Sequence, residues 1–120
     1  MKNLLETGNR IVDLTFGFSL KTIEYVELLE EKRKFVIANQ LLKSGTSIGA
    51  NIREAQYCES KADFIHKFKM AAKEAEEIEY WLLLCKYSNS YPFEEKLLEE
   101  VKEIKLFLNS NLKTKKPKKK

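Results

Sequence analysis

Apolar residues recur along this chain with the period of a helix, in four blocks separated by short polar stretches. In the first block Ile11, Leu14, Phe18, Tyr25 and Leu29 return at spacings near seven with Thr22 between them, which predicts a helix over Arg10–Glu31. Asn9 is placed to cap it, and Asp13 favours the positive end of its dipole. At roughly 1.5 Å per residue this helix is about 33 Å long. Residues 1–8 have no clear period and are expected to fray, and the charged run over residues 30–34 marks a turn. The second block, with Ile37, Leu41, Ile48, Ile52 and Ala55, predicts a helix over Phe35–Tyr57. Ser60-Lys61-Ala62-Asp63 resembles a capping box with Asp in place of Glu and opens the third helix. Its core stripe is Phe64, Phe68, Ala71, Ala75, Ile78, Leu82 and Cys85, and it ends near Tyr87, where Ser88-Asn89-Ser90 breaks the pattern. Pro92 is expected in the first turn of a fourth helix, carried by Leu97, Val101, Ile104 and Leu108 to about Leu112.

Four amphipathic helices with short connections imply an all-α fold, an antiparallel up-down-up-down four-helix bundle over residues 1–112. Residues 113–120, KTKKPKKK, end the periodicity and are expected to form a disordered basic tail. Within the second helix, Gly45 and Gly49 interrupt the apolar pattern without changing its phase. Each interior glycine costs about 1 kcal/mol against alanine. Close approach of another backbone to the face bearing Ser44, Gly45 and Gly49 would offset that loss, from a neighbouring helix of the same chain or of another copy. The segment lacks the Gly-Lys-Ser/Thr that closes a phosphate-binding P-loop.

The third helix carries more apolar surface than one core can use. Residues 80–85, YWLLLC, are apolar around the whole helix, and a bundle core covers only one stripe of it. Phe16 beside Phe18 and Phe107 beside Leu108 widen two other stripes. The surplus predicts a homo-oligomer, with Tyr80, Trp81, Leu83 and Leu84 as the residues left for contact between copies.

Charge changes the picture at one end. The net charge of +4 comes from the last eight residues, which hold Lys113, Lys115, Lys116, Lys118, Lys119 and Lys120; without these six, 16 basic residues face 18 acidic ones. General nucleic-acid binding by the body is therefore not implied, whereas contact with RNA or DNA through the tail is. A second basic group, Arg53, Lys67 and Lys73, is expected where the second and third helices adjoin. No run of about 18 apolar residues offers a membrane span, and no secretion signal is evident at the N-terminus. Cys58 and Cys85 fall in apolar helical patterns and are expected as buried free thiols in a reducing cytoplasm.

The residues of reactive chemistry do not assemble into a catalytic, cofactor-binding or metal constellation. His66 is the only histidine, and with Asp63 it makes a D-x-x-H pair. A di-iron bundle requires such a motif on two helices and two further glutamates. Helical-bundle nucleases that place an arginine four to six residues before the histidine have no counterpart, since residues 60–62 are Ser, Lys and Ala. His66 is expected at the surface, and Glu74, Glu76, Glu77 and Glu79 as a solvated face.

LLKSGTSIGANIREA followed by SKADFIHKFKMAAKEAEEIEYWL resembles the signature of the bacterial four-helix-bundle family encoded in intervening sequences of 23S ribosomal RNA genes, over about Arg10–Leu112. The fold class is also similar to the accessory variability determinant of diversity-generating retroelements, a pentameric barrel that binds nucleic acid and the reverse transcriptase. The resemblance implies a bundle, a ring-like homo-oligomer with a pentamer as the expected ring, and a link to RNA or DNA; it supplies no catalytic residues. Two functions are expected of such a chain: a non-enzymatic oligomer associated with nucleic acid, or a structural and protein-interaction module with no nucleic-acid role.

Overall fold

Each periodic block is a helix in a computed structural model of the chain, which describes residues 7–115. They are α1 (Arg10–Glu31), α2 (Phe35–Ala55), α3 (Lys61–Tyr87) and α4 (Glu95–Lys115). The caps act as the sequence implies. The Asn9 side chain accepts from the Val12 N–H, and the Ser60 hydroxyl accepts from the Asp63 N–H at 3.0 Å. The Thr7 N–H and hydroxyl both donate to Asp13, at 2.9 and 2.8 Å. These bonds, the backbone one foremost, hold the Asp13 carboxyl below its ordinary pKa.

Two boundaries differ from expectation. α2 stops at Ala55, two residues before Tyr57. There the Gln56 amide donates to the orphan carbonyl of Ile52 at 3.0 Å, and Tyr57 is 82 % exposed, with no core to hold another turn. Pro92 lies outside α4, which begins at Glu95. Its carbonyl accepts the Tyr25 hydroxyl at 2.6 Å, so it points across to α1 instead of along the axis of a following helix. Cys58 also departs from expectation: it lies past the end of α2 and is only half-buried, whereas Cys85 is fully buried, and burial raises its thiol pKa. Met1–Glu6, expected to fray, and Lys116–Lys120 of the tail lie outside the described residues, and α4 carries the backbone of Lys113 and Lys115 three residues past Leu112.

The helices pack in chain order, α1 on α2, α2 on α3, α3 on α4, and α4 back on α1. The start of α1 meets the end of α2 through Asn9 and Gln56, while the late turns of α1 meet the α3–α4 connection through Tyr25. The result is an antiparallel up-down-up-down bundle with Phe18, Leu41, Ile48, Ile78, Leu82 and Leu108 in its core. Val12, Val26 and Leu98 join that core from outside the predicted stripes, and Leu14, Ile37 and Phe64 sit half-buried at its rim. At the α3–α4 seam Lys105 bridges Glu76 and Glu79. Burial alone would lower its pKa, but the two carboxylates together hold it above the ordinary lysine value. The acidic series on α3 is thus only partly a solvated face, since Glu79 is half-buried in this seam.

Candidate self-association and nucleic-acid surfaces

Against the glycines of α2 lies a stripe of small hydroxyl residues on α1, Thr15, Ser19 and Thr22, at helical spacing. A Cβ added at Gly45 would stand 2.6 Å from Thr22 Cγ2 and 3.2 Å from Thr22 Cβ. One added at Gly49 would stand 3.3 Å from Ser19 Oγ and 3.5 Å from the Thr15 carbonyl oxygen. The close approach is therefore made within one chain. Thr15 and Thr22 satisfy their buried hydroxyls on the carbonyls of Ile11 and Phe18, at 2.8 and 2.9 Å. Ser19 instead donates across the seam to the Gly45 carbonyl at 3.1 Å. On the other side of α2, the buried Ser44 hydroxyl donates to Glu77 on α3 at 3.2 Å.

Because small residues line the α1–α2 seam, its outer side is a groove of about 220 Å³, lined by Val12, Thr15, Ser19, Thr46, Gly49 and Ala50 together with Phe16 and Arg53. The Arg53 guanidinium lies over the Phe16 ring, 6.0 Å from its centroid. Along the same outer side, Leu20, Ile23 and Leu42 are 43, 38 and 37 % exposed. This second apolar stripe was legible in the sequence, where Phe16, Leu20 and Ile23 follow at i, i+4 and i+7 opposite the stripe of Phe18.

The surplus residues of α3 divide into two pairs. Trp81 and Leu83 pack half-buried against the core, and Trp81 Nε1 is buried without a hydrogen-bond partner. Tyr80 and Leu84 point outward, 59 and 37 % exposed, and exposed Tyr87 follows two turns after Tyr80. The Tyr80 and Trp81 rings meet edge to face, 5.5 Å between centroids.

Two of the three basic residues expected on the body are held by neighbours. Arg53 faces α1, Lys67 pairs with Glu54 at 2.6 Å, and Lys73 is exposed on α3. The hydrogen bond that Lys67 donates to Glu54 raises the Lys67 pKa. His66 and Asp63 are both exposed, and among the described residues no three His, Cys, Asp or Glu side chains are grouped as metal ligands. No helix among them is long and apolar enough to cross a membrane.

The chain is similar to a crystal structure of a protein of unknown function from the S23 ribosomal protein family of Bacteroides thetaiotaomicron VPI-5482, with a TM-score of 0.81 and 40 % identity over 86 % of this chain and 98 % of that one. No curated protein matches it. The model of the family described as 23S rRNA-intervening sequence protein matches residues 8–110. With the four-helix architecture, the glycine-bearing second helix and the apolar third helix in place, the chain belongs to the 23S rRNA-intervening sequence protein family.

Proposed function

We propose that this protein is a non-enzymatic, self-associating helical bundle that associates with nucleic acid, RNA or DNA, through the lysines at its C-terminus. The observation that carries the reading is the separation of charge: six lysines in the last eight residues follow a body in which acidic residues outnumber basic ones. α4 ends at Lys115, at the bundle end where α1 begins and α2 stops. Lysines there contact phosphates without reading sequence, and binding falls steeply with salt as counterions return. Several copies in one assembly, a pentamer in the ring reading, would multiply the contacts through effective concentration. The family description's reference to 23S rRNA favours RNA as the first probe.

The test is binding of a fluorescent single-stranded oligonucleotide at two salt concentrations, by the native chain and by a variant with the six tail lysines changed to glutamine. The reading expects salt-sensitive binding that the variant loses. Unchanged affinity in the variant places the site on the folded body. No binding by either form favours the second reading, a protein-interaction module, for which the exposed Tyr80 and Leu84 of α3 speak.

A further inference from the structure

Two surfaces of the bundle are left apolar after the core is filled, and they differ in shape and in charge. The α1–α2 groove is concave because glycine, serine and threonine form its floor, and its lining holds a single charged side chain, Arg53. The outer face of α3 instead carries Tyr80 and Tyr87, two turns apart and 59 and 76 % exposed, with Leu84 between them. Exposed Glu77, whose Oε1 accepts from Ser44, and half-buried Glu74 lie one turn or two below Tyr80, with exposed Lys73 on the same helix. Neither acid forms an ion pair among the described residues, unlike Glu76 and Glu79, which Lys105 holds.

We infer that the α1–α2 groove of one copy receives the α3 face of a second copy, Tyr80 and Leu84 seating along Phe16, Leu20 and Thr46, with Arg53 of the groove meeting Glu74 and Glu77. The inference rests on the self-association proposed above and assigns the surfaces that make it. Within one chain the two faces cannot meet, because α2 stands between α1 and α3 in the order of packing. A second copy brings both halves in their native form. Groove against groove gives Arg53 no acidic partner within the lining, whereas groove against α3 offers it Glu74 and Glu77. Such a contact is head-to-tail, and the pair then keeps one free groove and one free α3 face for further copies.

A head-to-tail contact has a signature that a two-fold contact lacks. Leu20→Glu places a charge beside the groove and leaves α3 untouched; Tyr80→Glu does the reverse. Both positions are exposed enough for the bundle to fold, which circular dichroism and a thermal melt verify for each. In light scattering at tens of micromolar chain, the native protein should exceed the 14.1 kDa of one chain, and each variant alone should run as a monomer. An equimolar mixture should then give a species of twice the chain mass, joined through the intact α3 face of the first variant and the intact groove of the second. If either variant retains the native assembly, or the mixture stays monomeric, the pairing of these faces is overturned while self-association stands. A monomeric native protein overturns both. Charge reversal gives an independent reading: Arg53→Glu alone and Glu77→Lys alone should each weaken self-association about tenfold or more, and a mixture of the two should recover part of the loss. Absence of any effect from either reversal overturns the Arg53–Glu77 meeting.

Discussion

Gly45→Ala sets two effects of known sign against each other. In an isolated helix the change is favourable by about 1 kcal/mol, since alanine is the better helix former. In this bundle the new Cβ would meet Thr22 Cγ2 at 2.6 Å, Oγ1 at 3.1 Å and Cβ at 3.2 Å. The first distance is about 1 Å inside ordinary carbon–carbon contact. Thr22 has little room to yield: it is 1 % exposed, its branched side chain is stiff at χ1, and its hydroxyl is held by the Phe18 carbonyl at 2.9 Å. The overpacking should therefore fall toward the upper part of its usual range, about 2–3 kcal/mol, for a net loss of about 1–2 kcal/mol. At Gly49 the nearest atom is the Ser19 hydroxyl at 3.3 Å, half-exposed and able to rotate, so Gly49→Ala should be neutral or stabilising by up to about 1 kcal/mol. Urea unfolding followed by helical ellipticity separates the two, provided the slope is unchanged between variants. Thr22→Ala removes the two closest atoms, and in that background Gly45→Ala should lose most of its penalty. Equal stability of the two alanine variants, or a penalty that persists without the threonine, would refute the assignment of the clash to Thr22.

Three further outcomes follow from local chemistry. Arg33 ends the α1–α2 turn at φ 63°, a left-handed conformation that costs a residue with a Cβ about 1 kcal/mol, so Arg33→Gly should raise the melting temperature by a few degrees. Trp81→Phe discards a buried N–H without an acceptor and should be nearly neutral, whereas Trp81→Ala should lose about 3 kcal/mol or more; a large loss in the phenylalanine variant would show the indole nitrogen to be engaged. The Asp13 pKa is lowered by its bonds from Thr7, so its contribution is present above the ordinary value of 3.8 and is lost as pH falls through the lower folded value. The stability difference between the native chain and Asp13→Asn should accordingly shrink below about pH 4.

The four helices and most of their ends were legible because the apolar period and the caps are local. Asn9 and Ser60 cap with their own side chains within three residues, and the stripe from Phe68 to Cys85 must face one core whatever lies opposite. Where α4 begins depended on a partner far along the chain: Tyr25 takes the carbonyl of Pro92 and keeps it out of α4. The glycines announced a close approach but not its partner. That partner is the Thr15–Ser19–Thr22 stripe of α1, which could have been found, since three small hydroxyl residues at helical spacing within an apolar helix are themselves a signal. The apolar excess of residues 80–85 was plain, but its division was not. Only the packing of α3 between α2 and α4 decided that Trp81 and Leu83 support the core while Tyr80 and Leu84 face outward. Likewise Arg53 and Glu54 are neighbours in sequence, yet the bundle turns one toward Phe16 and the other toward Lys67, because adjacent residues on a helix point about 100° apart. Period and capping are properties of a segment. Which charge meets which, and which apolar face remains uncovered, are properties of neighbouring helices, and these exist only once the bundle has closed.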